Sequence, residues 1–160
     1  MTEKTSFKEQ LLEHGRIIYT NVGTSMMPLL RQNRDVMIIE RPTGRLKKYD
    51  CPLYIRRDGT HVLHRILKVR ENDYVICGDH CTEKEYGITD ENIIGVMTGI
   101  IRDGKELDFN SFSYKFYYHL WCDFFYIRVA IIRVKSFFRR CLSFAKRKIF
   151  KRKCIPFCII

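Results

Sequence analysis

Apolar residues change their spacing twice along the chain. In residues 5–14, TSFKEQLLEH, Phe7, Leu11 and Leu12 recur at steps of three and four; Thr5 or Ser6 can cap the first turn and Gly15 can end the last. That spacing predicts a short helix. The rhythm then shortens to that of strands over 16–22, 35–40, 52–57, 61–69, 73–78 and 92–102, runs rich in Ile, Val, Leu and Tyr. RPTG, RRDG, REND and RDGK punctuate them, and Asp58-Gly59 and Asp103-Gly104 carry a dipeptide favoured in tight hairpins. The expected body is mainly β and built from local hairpins.

Past Asn110 the helical spacing returns. Apolar residues recur at 116, 120, 124, 127, 131, 134, 138, 142, 145 and 149, while Arg128, Lys135, Arg139, Lys146 and Arg147 fall elsewhere on the wheel. The pattern predicts one long basic amphipathic helix. His119, Asp123, Arg128 and Arg133 interrupt every stretch that approaches the ~20 apolar residues needed to cross a bilayer. The helix is therefore expected to lie on an anionic membrane surface through 116–153. Two domains follow, a β domain over 1–110 and a helical tail over 111–160.

Charge supports that division. The formal net charge is +11, yet residues 1–110 are close to balanced, and residues 111–160 hold the excess with a single acid, Asp123. A localised basic excess points to an anionic partner rather than to a fold. Lys146-Arg147-Lys148 and Lys151-Arg152-Lys153 would suit nucleic acid on charge alone, but no base-reading module accompanies them, so nucleic acid is not the expected partner. Packing against a partner helix is the alternative use of the tail.

The seven cysteines form no CxxC pair and have no His at zinc-finger offsets, so neither a disulfide scaffold nor a metal site is expected, and no cofactor. Reduced thiols fit a cytoplasmic setting. The opening MTEKTSFKEQLLEHG lacks the apolar core of a secretory signal or anchor, which again places the expected site of action on the cytoplasmic face of a membrane. Cys154 and Cys158 stand beside a basic, apolar end where acylation is conceivable, although no Cys is fourth from the C-terminus as prenylation requires.

Three segments carry candidate chemistry. Gly23-Thr24-Ser25-Met26-Met27-Pro28 places a serine in a loop after a strand. A serine hydroxyl needs a neighbouring base to become a nucleophile at neutral pH, and His64, in HVLHRIL, is the candidate. His61 would project to the opposite face of a continuous strand. A third group that orients the imidazole improves such a pair, and Asp79, Glu83 and Glu85 follow in GDHCTEKEYG. Each segment also has a bland reading, as a turn, a half-buried strand histidine and a hairpin exit.

Taken in order, these segments resemble the signal peptidase I and LexA-like serine peptidase superfamily over roughly residues 20–100. That family's pattern is Gly-x-Ser-Met-x-Pro, Asp-bearing strand entries, a base, and Gly-Asp-Asn with a later acid. Here it falls on Gly23, Ser25, Met26 and Pro28, on Asp35 and Asp50, on His64-Arg65, and on Gly78-Asp79. Bacterial signal peptidases and LexA-type repressors use lysine as the base, whereas archaeal and endoplasmic-reticulum signal peptidases carry His-Arg, so the chain is similar to the histidine branch and to small bacterial members without an N-terminal anchor. The resemblance implies a coiled β fold in which Ser25 is the nucleophile, His64 the general base, Glu85 the orienting acid and Asp79 a second acid or a structural group. It implies a precursor peptide as substrate, with removal of a leader or signal segment.

Three positions depart from the pattern. His80 stands where Asn is usual, the later acid is Glu rather than Asp, and Gly23 lacks the hydroxyl that many bacterial members offer to the oxyanion. Those departures and the basic tail keep two alternatives open, a catalytically inactive membrane-associated binding protein of the same fold and a LexA-like regulator.

Overall fold

The structure is a computed structural model that describes residues 7–153, with side chains followed as far as Ser143. The proposed caps Thr5 and Ser6, the basic side chains at 146–148 and 151–153, and Cys154 and Cys158 lie outside the described set.

In chain order the elements are α1 (Phe7–His14), β1 (Arg16–Thr20), β2 (Val36–Glu40), β3 (Pro52–Ile55), β4 (His61–Leu63), β5 (Arg65–Val69), β6 (Tyr74–Cys77), β7 (Glu85–Ile88), β8 (Ile93–Arg102), β9 (Lys105–Glu106), α2 (Phe112–Asp123) and α3 (Phe125–Lys153). Helix α1 ends as expected, with Gly15 in the left-handed region at φ +72° and its N–H donating to the Leu11 carbonyl. One antiparallel sheet runs β1-β2-β8-β3-β4 with β9 added to β8, and it curls into a half-barrel. The second sheet is β5-β6-β7. Both Asp-Gly hairpins form, joining β3 to β4 and β8 to β9.

Two clusters fill the interior. Leu11, Ile17, Leu30, Ile39, Met97 and Ile100 pack inside the curled sheet beneath α1, while Tyr54, Ile66, Tyr74 and Ile76 lie between the sheets. From β1 only Ile17 enters a cluster, while β8, whose pairing shifts register with both neighbours, sends Ile94, Met97 and Ile100 into the first cluster and Ile93 and Val96 against the second. The mainly β expectation holds only roughly, since helix and strand hold comparable shares of the chain. Strands β7 and β9, at four and two residues, are too short to show a periodicity.

The chain divides into compact units, residues 1–124 and 125–160. Helix α2 belongs to the first. The single long helix expected from spacing is interrupted at Phe124, whose φ −96° and ψ +46° leave the helical region. The face of α2 turned inward carries Tyr114, Tyr117, Tyr118, Trp121 and Cys122, whereas Phe116 and Leu120, part of the expected stripe, are exposed. On α3 the stripe residues Ile127, Ile131, Val134, Phe138 and Leu142 are exposed as well. Among the described residues, no helix is long and apolar enough to cross a membrane.

Candidate active site

The loop from Asn21 to Asp35 carries Ser25, and its ends are tied. The Asn21 N–H donates to the Asp35 carbonyl at 3.0 Å, and the Asn33 N–H donates to the Asn21 carbonyl at 2.6 Å. Asp35 is fully buried and accepts from the Arg31 and Arg102 guanidiniums, an ion-paired peg beneath the loop. Met26, Leu29 and Leu30 anchor the turn in the core. Ser25 stays half-buried at the surface, Gly23 and Pro28 are exposed, and the bond between Met27 and Pro28 is cis.

His64 occupies the single residue between β4 and β5, where the chain passes from the curled sheet to the three-stranded one. It is buried, and its Nδ1 lies 2.9 Å from Glu85 Oε1 and 3.2 Å from the Tyr54 hydroxyl. A carboxylate only accepts, so Nδ1 carries the proton and Nε2 presents its lone pair. This is the tautomer a general base requires. Arg56 grips the same carboxylate with two hydrogen bonds, Nε to Oε2 at 2.8 Å and Nη2 to Oε1 at 2.6 Å.

Glu85 is thus the acid in contact with His64, and Asp79 is engaged elsewhere. Asp79 takes two hydrogen bonds from Arg65, at 3.0 and 2.9 Å, with both side chains wholly buried. From α2, the Tyr117 hydroxyl donates to Asp79 Oδ2 at 2.9 Å and the Trp121 indole N–H donates to the Asp79 carbonyl at 2.7 Å. Arg65 also donates to the Tyr49 carbonyl at 3.0 Å. Asp79 and Arg65 form the strut behind the site rather than its reacting surface.

Gly78 sets the spacing between the serine loop and His64. A Cβ there would stand 2.6 Å from the Ser25 carbonyl oxygen, 2.7 Å from Cys81 Sγ and 2.8 Å from His64 Nε2, distances at which something must move. Glycine allows the close approach. The His80 N–H donates to the Ser25 carbonyl at 2.7 Å, which fastens the two loops by backbone. His80, the departure from Asn, therefore uses its main chain here and leaves its ring exposed.

Ser25, His64, Arg56 and Cys81 open on one cleft of about 390 Å³, with Met26, Met37, Ile39, Leu53 and Leu63 forming its apolar wall. Its two sides include residues of β1 and β4, the edges of the curled sheet, and Phe7 of α1 bridges them with ring centres 5.2 Å from Tyr19 and 5.4 Å from His61. His61 lines the cleft as well, against the expectation that it faces away, because the strand breaks at His64 and parity does not carry across. The Ser25 hydroxyl and N–H bond to no other described residue, so the serine and the histidine share the cleft without a closed hydrogen bond. Cys81 Sγ stands 4.0 Å from Nε2. Among the described residues no cluster of His, Cys, Asp or Glu could hold a metal ion.

Burial pushes the His64 imidazole below its ordinary pKa, outweighing the raising effect of the Glu85 charge and hydrogen bond, and Arg56 lowers it further. For Glu85 burial acts upward, but hydrogen bonds from Arg56 and Tyr54 prevail and hold the carboxyl below the usual range. The neutral, proton-accepting imidazole therefore persists below the usual histidine value of about 6.5. Glu85→Gln removes the main raising influence on His64. Its acid limb in a pH–rate profile is expected to move to still lower pH while kcat falls by about 10²-fold or more, from loss of orientation and charge compensation. An unmoved limb would show that Glu85 is not coupled to the base.

Comparison with protein-family models, with curated proteins and with solved structures yields no match for this chain.

Proposed function

We propose that the chain is a serine endopeptidase of the signal-peptidase type, with the coiled β fold of that superfamily, which removes a leader or signal segment from a precursor peptide. The observation that carries this reading is the contact of His64 Nδ1 with Glu85, which turns Nε2 toward the cleft that holds Ser25. In the reaction, Ser25 Oγ attacks the scissile carbonyl as its proton passes to His64 Nε2. The imidazolium, held against Glu85, then protonates the leaving amine. The Ser25 N–H, engaged by no described residue, serves as an oxyanion donor, an effect worth roughly 3–4 kcal/mol for a well-placed group. The edges of β1 and β4, unpaired among the described residues, suit a substrate in extended conformation, which can bond to an edge through its main chain.

The test is covalent labelling with a fluorophosphonate probe alongside cleavage of a quenched-fluorescent library of extended peptides. Wild-type protein should be labelled at Ser25 and cleave members of the library, and Ser25→Ala should do neither. The absence of both in wild-type protein would discard the peptidase reading. The open Ser25–His64 geometry favours a second reading, a binding protein of the same fold without catalysis, which would retain peptide binding and biological activity in Ser25→Ala. Nothing in the site adds to the LexA-like alternative.

We further propose that the protein works peripherally on the cytoplasmic face of a membrane, with 116–153 against anionic lipid. The exposure of Phe116 and Leu120 on α2, and of Ile131, Val134, Phe138 and Leu142 on α3, supports an apolar contact, and the neighbouring Arg and Lys suit acidic headgroups. The protein should sediment with phosphatidylglycerol vesicles, far less with phosphatidylcholine vesicles, and less in high salt. Equal recovery with both lipids would remove the electrostatic part of this proposal.

A further inference from the structure

Cys81 plays no part in the serine mechanism, yet its thiol stands beside the proposed base. Its Sγ is 4.0 Å from His64 Nε2, and the same imidazole is held through Nδ1 by Glu85 at 2.9 Å. A nucleophile, a base and a group that orients the base are thereby aligned, which is the arrangement that activates thiols. Cys81 is half-buried and lines the cleft. An adjacent imidazole that accepts the proton favours the thiolate. Three other cysteines differ in setting, since Cys51, Cys77 and Cys122 are buried, and burial drives the Cys51 thiol up to about 12. Cys141, on α3, is exposed.

We propose that Cys81 is a covalent-modification site, a thiol that uses His64 as its base, reacts with small carbon electrophiles, and when capped denies the cleft to peptide. In the reaction with an alkyl halide the Cys81 sulfur forms a bond to carbon, the carbon–halogen bond breaks, halide departs with the electron pair, and the thiol proton passes to His64 Nε2 and then to solvent. The added group takes up space in the cleft that Cys81 lines together with Ser25 and His64, beside Nε2. The labelling claim stands on geometry alone, whereas the claim of inhibition rests on the peptidase reading.

The probe is iodoacetamide, applied in limiting amount to the full chain at neutral pH, with the modified residues identified by mass spectrometry of peptides. Cys81 should be alkylated about fivefold to tenfold faster than Cys141, as expected when a thiol's proton is drawn off near neutral pH. His64→Gln should reduce the Cys81 rate to that of Cys141, Glu85→Gln should reduce it in part, and Ser25→Ala should leave it fast. A Cys81 rate no greater than that of Cys141 in wild-type protein, or a rate unchanged in both His64→Gln and Glu85→Gln, overturns the proposal. Labelling is read by mass and needs no substrate, so its outcome is separate from whether any peptide is cleaved. In the cleavage assay, alkylated wild type should lose activity, while Cys81→Ser, at whatever level it works, should be unaffected by the reagent. Full activity after complete modification of Cys81 overturns the claim that capping closes the cleft.

Discussion

Replacing His64 with alanine is expected to lower kcat/KM for peptide cleavage by about 10⁴- to 10⁶-fold, and Ser25→Ala should cost as much. The two losses should not multiply in the double variant, because a serine without its base and a base without its serine fail at the same proton transfer. The geometry gives His64 no substitute as base. His61 lines the cleft but sits on β4 against Phe7, and His80 is turned out of the site with its ring exposed. A steady-state measurement on any peptide found by the library screen decides the matter, with circular dichroism to confirm that the variants remain folded. Additive losses, or a His64→Ala variant within tenfold of wild type, would place the base elsewhere.

The second large effect falls on stability. Asp79→Ala should destabilise the fold by about 3–5 kcal/mol, since it leaves the fully buried Arg65 guanidinium without its carboxylate. The Tyr117 hydroxyl loses its acceptor in the same step. A urea titration should show a lower midpoint with little change in slope. Arg65→Met combined with Asp79→Leu should recover part of the loss, because two apolar side chains bury no unpaired charge. A midpoint unchanged in Asp79→Ala would mean that Arg65 finds other partners or reaches water.

Much of this arrangement could be read from residue types in order. Ser25, His64 and Gly78-Asp79 lie in recognisable local contexts, and each reaches the cleft or its support. The preference for Glu85 over Asp79 rests on the resemblance; residue types alone could not decide it, because it depends on β7 pairing with β6 and on Arg56 arriving from the end of β3, contacts between residues far apart in sequence. The aligned Cys81 thiol was hidden for the same reason. Its proximity to Nε2 arises only when the turn after β6 folds back over Gly78. His61 was misplaced because a strand's alternation holds only while the strand is unbroken.

The tail shows the opposite failure. Periodicity located the helices correctly and their boundary incorrectly. The apolar spacing of 116, 120 and 124 outlined a face that remains exposed, while Tyr114, Tyr117 and Trp121, offset from that series, make the inward contacts. Aromatic residues with polar ends served both roles on one helix, and hydropathy alone does not distinguish them. Composition changes at Asn110, but the hydrogen bonds of the first unit continue through Asp123, which pairs with Lys48 at 2.6 Å.

That last feature bears on how the protein could be shortened. A fragment ending near residue 110, where charge and composition change, would discard the phenol and the indole that hold Asp79 and expose a buried ion pair to solvent. One ending at Phe124 would keep both and shed most of the basic excess. The smallest fragment that keeps the site intact is therefore longer than the β region, and its last helix is part of the foundation of that site.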